Sequence, residues 1–366
     1  MKFEIDRDAL LDSLQFVSSV VERRQVLPIL SNLLLVVDGG VLSLTGTDQE
    51  VEVTASTSNL RAEQDGEVTV PSRKLLDICR SLPPGRIEFQ HLGHRLNIIS
   101  GPFKSHLATL PATEFPRAET GESGVELLVP TAGLKQLLES TSFAMAQQDV
   151  RYFFNGMLME TEVNRLTLVA TNGQRLAINY MPGEFVVSQK SQFVVPRKGV
   201  IELARMLKDG VGDVLMQFSD NHLRVKCGDY LLTTKLIDGS YPDYDRAIPV
   251  GGDKIVLIDR LEFKDALTRT AILANEVYRN VRLVLTPGNL TIQANNPLQE
   301  EAEEKVAVDY QGSDLEIGFN VGFVIDALAV IDTEQVKVVL CDSHSAMLLT
   351  ATGETRSRYV ISPMML

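Results

Sequence analysis

The sequence predicts an α+β protein made of three homologous domains, and three observations point there. The chain has 366 residues, which corresponds to two or three domains at ~100–200 residues each. A block of sequence recurs at a spacing of 124–125 residues. Within each block, short alternating strands outnumber helices, the signature of antiparallel sheet with helices kept to one side.

In the first block, Lys2–Ile5 alternates as a strand, and Asp6–Val21 has helical spacing through Leu10, Leu11, Leu14, Val17 and Val21. Strands follow at Leu30–Val37, Val41–Thr47 and Glu50–Ala55. A second half repeats the order: strand Glu67–Val70, helix Arg73–Leu82, and strands Arg86–Gln90, Arg95–Ser100 and Lys104–Thr109. Strand, helix and three strands, twice over, gives two helices and about eight antiparallel strands per domain. Thr47, Thr171 and Asn295 close equivalent strands that begin after the turns Gly39-Gly40, Asn164-Arg165 and Pro287-Gly288. Three equivalent helices carry matching apolar faces: Leu75, Leu76, Ile78, Cys79 and Leu82; Val200, Ile201, Leu203, Ala204 and Leu207; Val324, Ile325, Ala327, Leu328 and Ile331. A period this long implies repeated globular domains, since solenoid repeats run to ~20–50 residues. Polar, Gly- or Pro-containing stretches place the domains at 1–120, 125–248 and 253–366.

Composition narrows the function. Apolar residues make up 44% and charged residues 23% of the chain, which excludes collagen-like, low-complexity and disordered classes. The net charge of −13 repels nucleic acid and anionic membrane on average, so any such contact needs a locally basic surface. No apolar run approaches the ~18 residues of a membrane span, and the start lacks the pattern of a signal peptide. Three scattered cysteines, Cys79, Cys227 and Cys341, argue for a reducing compartment. A cytoplasmic protein without membrane contact is expected.

Cations are placed against this average. Arg73 and Arg80 lie seven apart on one helix face, and their repeat mates Lys198 and Arg205 do the same, with Arg197 adjacent. Gly322 and Ala329 break the pattern in the third repeat, although Lys264 and Arg269 lie on its other helix, Leu261–Leu273. Basic helix faces on an acidic body suggest phosphate contact. Signals of catalytic chemistry are few by contrast. The five histidines lack metal-ligand spacing, and no phosphate-binding glycine loop, dinucleotide fingerprint or nucleophile elbow occurs. Glu300-Glu301-Ala302-Glu303-Glu304 reads as a solvated or interface-facing acidic stretch, because no metal loop surrounds it. No enzyme activity, cofactor or metal is expected.

The sequence resembles the bacterial DNA polymerase III beta subunit, the sliding clamp family, over its whole length. The resemblance lies in Leu44–Asp48, Pro71-Ser72-Arg73-Lys74, the block Gln148–Met157, the block Val195–Leu203, Tyr241-Pro242-Asp243-Tyr244, Ile317-Gly318-Phe319-Asn320 and Pro363-Met364. It implies the DNA clamp fold, two chains closing head to tail into a ring, and a sequence-independent hold on double-stranded DNA. Twelve helices at ~8–10 Å spacing would line a hole roughly 30–40 Å across.

The resemblance also implies site residues. The DNA-side candidates are Arg24, Arg73, Arg80, Gln148, Tyr152, Phe153, Arg197, Lys198 and Arg205. A pocket for short hydrophobic motifs, those of the polymerase III alpha subunit, the clamp loader, other DNA polymerases and repair proteins, would use Phe154, Thr171, Gly173, Gln174, Arg175, Leu176, Pro242, Arg246, Ala247, Val360, Ile361, Pro363 and Met364. The homodimer seam would use Lys74, Lys104, Ile272, Leu273, Glu300, Glu301 and Glu304. Phe153, Gln174, Ser105 and Met365 depart from residues frequent in the family. Two other classes stay open on sequence alone: a metal-dependent hydrolase or nuclease, and a scaffold that binds peptides but not DNA.

Overall fold

The computed structural model describes residues 1–22, 27–118, 121, 124–185, 187, 189–207, 212–353 and 356–365. The first repeat runs β1 (Lys2–Asp6), α1 (Arg7–Ser19), β2 (Asn32–Asp38), β3 (Val41–Thr47), β4 (Val51–Thr57), β5 (Leu60–Gln64), β6 (Gly66–Pro71), α2 (Ser72–Ser81), β7 (Arg86–Leu92), β8 (Arg95–Ser100) and β9 (Phe103–Ala108). The second runs β10 (Val125–Pro130), α3 (Thr131–Thr141), β11 (Gly156–Glu162), β12 (Arg165–Thr171), β13 (Arg175–Pro182), β14 (Ser191–Pro196), α4 (Arg197–Met206), β15 (Asp213–Phe218), β16 (His222–Cys227) and β17 (Tyr230–Lys235). The third runs β18 (Lys254–Asp259), α5 (Arg260–Thr270), β19 (Asn280–Thr286), β20 (Asn289–Asn295), β21 (Glu301–Ala307), β22 (Leu315–Asn320), α6 (Val321–Val330), β23 (Gln335–Leu340), β24 (Met347–Ala351) and β25 (Arg358–Ile361). Two helices per repeat among the described residues, with antiparallel pairing throughout, is the architecture the periodicity predicts.

By proximity the chain forms two compact units, residues 1–132 with 198–236, and 133–197 with 237–366. The first holds a five-stranded sheet, β5-β1-β7-β8-β9, and an eight-stranded sheet, β10-β15-β16-β17-β4-β3-β2-β6. Asp6 caps α1 by accepting the Asp8 N–H at 2.9 Å, and Leu10, Leu14 and Val17 are buried on one side of the helix. α1 crosses β3 at Gly46, where a Cβ would lie 2.4 Å from the Val17 carbonyl oxygen; only glycine allows that approach. Cys79 is fully buried on α2, and burial pushes its thiol up to about 12.

The second unit holds an eight-stranded sheet, β14-β11-β12-β13-β25-β24-β23-β18, and a four-stranded sheet, β21-β20-β19-β22. α5 and α6 pack against one another beside the smaller sheet. The Asn320 side chain caps α6, accepting from the Gly322 N–H at 3.0 Å.

Each eight-stranded sheet is a junction between repeats. In the first unit β4 pairs with β17, the last strand of the second repeat, with Thr54 opposite Leu231. In the second, β13 pairs with β25, the last strand of the third repeat, with Ile178 opposite Arg358. This cross-repeat pairing draws the middle repeat into both units, so compactness and repeat do not coincide. Strand β21 and the last strand of the first repeat, β9, lie at open sheet edges.

Three sequence expectations need correction. Leu30 belongs to a 3₁₀ turn over Pro28–Ser31 that precedes β2; the Pro at its first position has no N–H to give a ladder. Ile201, expected on a buried face, is 37% exposed. The buried arc of α4 is rotated toward Gly199, Glu202 and Met206, because Glu202 accepts a hydrogen bond from the Ser19 hydroxyl of α1 at 2.5 Å. The polar strand β5 has no apolar alternation and was not predicted; it adds to the edge of β1.

Candidate nucleic-acid interface and peptide pocket

The basic helix faces divide into free and engaged cations. On α2, Arg73 and Lys74 are exposed, and Arg73 reaches Asp77 only at 4.0 Å. Arg80 is exposed and has no acidic partner among the described residues. Arg73, Arg80, Ser18 and Glu22 line one cleft. On α4 the cations are paired. Lys198 reaches Glu22 at 2.9 Å and also bonds Asp48. Burial alone would lower the Lys198 ammonium, but the hydrogen bonds to Asp48 and Glu22 outweigh it and leave it raised. Arg205 pairs with buried Glu202 at 2.6 Å, and Arg197 donates to the Met145 carbonyl at 3.4 Å. Sequence reasoning treats these cations as equals, whereas the structure leaves Arg73, Lys74 and Arg80 as the open ones. Arg24 lies outside the described residues.

Gln148 is exposed and adopts φ 58°, and Tyr152 is also exposed. Phe153, expected on the DNA side, instead packs edge-on against Phe154 with ring centroids 4.7 Å apart, and against Tyr241 at 6.3 Å. These rings belong to an apolar cluster with Leu158, Leu176, Ile178 and Val360. The structure therefore brings four expected pocket positions to one place: Phe154, Leu176, Val360 and, through the Arg175–Ile361 strand pair, Ile361.

The chain end is held down. The Ser362 N–H donates to the Gln174 carbonyl at 2.9 Å, and the Met364 N–H donates to the Gly318 carbonyl at 2.8 Å. Pro363 and Met364 are thus tied beside the turn 171–175. That turn is built from its own side chains. The Thr171 hydroxyl donates to the Arg175 carbonyl at 2.6 Å and accepts from the Gly173 N–H at 3.0 Å. Gly173 has φ 87°, a conformation that favours glycine, and a Cβ there would lie 2.7 Å from the Arg151 guanidinium and push it aside.

Arg175 is engaged internally. Its guanidinium bonds the Phe143 carbonyl and the Asp326 carboxylate and lies over the rings of Phe143 and Phe323. It holds the turn in place, whereas Arg246, which pairs with neighbouring Asp243 at 2.9 Å, is exposed with Pro242 and Ala247. Three residues that sequence reasoning did not assign to the pocket pack around these positions. Arg151 stacks over the Phe154 ring at 4.5 Å and forms an ion pair with Asp149 at 2.9 Å; these bonds hold the Asp149 carboxyl down at about 2. Tyr241 fills the aromatic cluster. Tyr244 donates to buried Glu160 at 3.0 Å. Arg151 lies inside the block Gln148–Met157, but nothing in the sequence links Glu160 to Tyr244.

At the expected seam, Ile272 is 77% exposed and Leu273 half-buried. Lys104 is exposed on β9, and Glu301 on β21. Glu300 accepts from the Asn296 side chain at 2.7 Å. Glu304 is occupied by Arg269 at 2.5 Å, which removes it from the freely available carboxylates. Among the described residues no cluster of His, Cys, Asp or Glu is placed to hold a metal ion, and no helix is long and apolar enough to cross a membrane.

Three tandem repeats of mixed helix and antiparallel strand, with an exposed basic face on α2 and a chain end tied beside the turn 171–175, define a clamp-type protein. The N-terminal, central and C-terminal domains of the DNA polymerase III beta subunit match residues 1–119, 128–243 and 245–365, and the chain belongs to this family of processivity clamps. The beta sliding clamp of Pseudomonas putida is 50% identical over the full length of both chains. A crystal structure of the DNA polymerase sliding clamp from Pseudomonas aeruginosa with ligand matches with TM-score 0.97 and 48% identity, covering all of both chains. A second structure from that organism, bound to griselimycin, matches with TM-score 0.96 and 49% identity, again over all of both chains.

Proposed function

We propose that two copies of this chain join head to tail into a ring around duplex DNA, and that the tail-lined pocket tethers polymerases and other factors by short hydrophobic motifs. One observation carries the ring. Both junctions inside the chain pair the fourth strand of one repeat, β4 or β13, with the last strand of the next, β17 or β25. The third repeat's counterpart, β21, and the first repeat's last strand, β9, are left at open edges. An open edge is a template for a further strand, and a heterologous contact of this kind closes if the rotation allows. A second copy supplies the missing strand at each end.

Encirclement makes tight binding unnecessary. The exposed cations of α2 supply a phosphate field without base readout, which permits sliding. The pocket suits a hydrophobic motif because its floor of Phe154, Leu176 and Val360 is apolar and its rim carries Arg246, Gln174 and flexible Met364. The chain performs no catalysis in this reading, and its place is the cytoplasm. The test loads the protein on linear DNA with free or blocked ends. A clamp is retained only on blocked DNA; equal loss from both would defeat the ring. Metal-dependent turnover by the purified chain would favour an enzyme instead.

A further inference from the structure

The open strands at the two ends of the chain carry complementary charge, and the internal junctions fix how they meet. β4, β13 and β21 are one strand in three repeats. Each pairs with the strand ending at Thr47, Thr171 or Asn295, where Glu52, Leu176 and Glu301 are the opposite residues. Two residues further on, Thr54, Ile178 and Glu303 are therefore equivalent. β9, β17 and β25 are likewise one strand. Six residues beyond Lys104, Leu231 and Arg358 comes the same backbone bond in every repeat: Leu110 N–H to the Thr69 carbonyl, Ile237 to Val194, and Met364 to Gly318. In both internal junctions these equivalents stand opposite each other, Leu231 against Thr54 and Arg358 against Ile178. The same register between chains sets Lys104 opposite the partner's Glu303 and His106 opposite the partner's Glu301.

The faces agree with this register. Lys104 and His106 are exposed on β9, while Phe103, Ser105 and Leu107 are partly or fully buried. Glu301 and Glu303 are exposed on β21, while Ala302 and Glu304 are half-buried. All four charged or titratable side chains fall on the exposed face of their strand, where directly opposite residues have Cβ atoms ~4.5–5.5 Å apart.

We infer that His106 of one protomer and the partner's Glu301 form a cross-strand pair that tightens the seam as pH falls through the imidazole range. This rests on the head-to-tail reading. The groups facing His106 are Lys104 on its own strand, Asn97 directly opposite and Arg95 diagonally on β8, and the partner's Glu301 opposite and Glu303 diagonal. Glu303 is matched by Lys104, so Glu301 is the nearest charge left for the imidazole. A carboxylate at that distance favours the protonated ring, and imidazoles gain their proton between about pH 8 and pH 5. Association therefore takes up protons. The extra stability is present at the acidic end of that window and is lost as pH rises through it.

The test follows dissociation of the full-length protein on dilution at pH 5.5, 6.5 and 7.5. With two seams per ring, the dimer dissociation constant is about three- to tenfold lower at pH 5.5 than at pH 7.5. His106→Gln and Glu301→Gln each flatten this dependence. The register is checked by oxidising Ser105→Cys with Ala302→Cys, which closes into a covalent dimer, against Ser105→Cys with Glu303→Cys, which does not. An unchanged pH dependence in His106→Gln overturns the assignment, even where the disulfide forms. Failure to find any dimer defeats the head-to-tail reading itself.

Discussion

Tyr244 donates its phenolic hydrogen bond to Glu160 at 3.0 Å, and that carboxylate has no exposed surface. Glu160 also accepts from Gln192 at 2.7 Å and pairs with Lys190 at 2.8 Å. Burial, reinforced by this carboxylate, pushes the Tyr244 hydroxyl far above its ordinary value. The bond fastens the segment that carries Pro242, Arg246 and Ala247 to the floor of the sheet. Tyr244→Phe removes one charge-assisted hydrogen bond, worth about 1–3 kcal/mol. We expect faster amide exchange across residues 242–247 and weaker binding of a hydrophobic motif peptide, with β11–β14 unaffected. Uniform destabilisation of the whole unit would argue against a local role.

Asp149 and Arg151 predict a titration. Hydrogen bonds from Arg151 hold the Asp149 carboxyl at about 2. In Arg151→Ala the carboxyl returns toward ~4, readable by carbon NMR. The same variant removes the guanidinium stacked on Phe154 and lowers peptide affinity. The carboxylate is charged above its folded value, so any stability the pair contributes is present at neutral pH and is lost on acidification.

The two kinds of cation separate by experiment. Arg73→Glu with Arg80→Glu should reduce DNA retention and lower the slope of log affinity against log salt by about 2, with little change in melting. Lys198→Met should instead leave Asp48 and Glu22 without their partner and cost about 1–2 kcal/mol in stability, discounted for the partial exposure of the pair. Equal effects of both variants on DNA retention would contradict the division.

At the seam, Ile272→Ala with Leu273→Ala removes apolar area that is open in the single chain, worth roughly 2–4 kcal/mol per seam if buried on association. Sedimentation should show a shift toward monomer. Deleting Pro363–Leu366 should abolish peptide binding in calorimetry and leave the dimer intact, since the Met364 N–H is tied to the Gly318 carbonyl on β22, at the opposite edge of its sheet from β21. Loss of the dimer on this deletion would misplace the pocket.

Much of the fold was legible because burial imposes period. The strands ending at Thr47, Thr171 and Asn295, and the helix faces at Leu75, Val200 and Val324, read directly from alternation and from the repeat. The strand β5 was not legible, since an edge strand with two wet faces keeps no apolar pattern. On α4, Ile201 is exposed while Glu202 is buried and bonded to Ser19, a residue 183 positions away. At the expected pocket, the family resemblance implied a ligand role for Arg175 but not its internal partners. Its guanidinium is taken by Phe143 and Asp326, a long-range arrangement that no local pattern announces. The same holds for Lys198, whose charge was visible but whose partners were not.

The thiol buried in α2 has a practical consequence. Only a thiolate reacts readily with maleimides, and one that ionises at about 12 stays silent in ordinary buffers. Dyes should therefore mark the less buried Cys227 and Cys341, giving two natural addresses for fluorescence without altering the helix that carries Arg73 and Arg80.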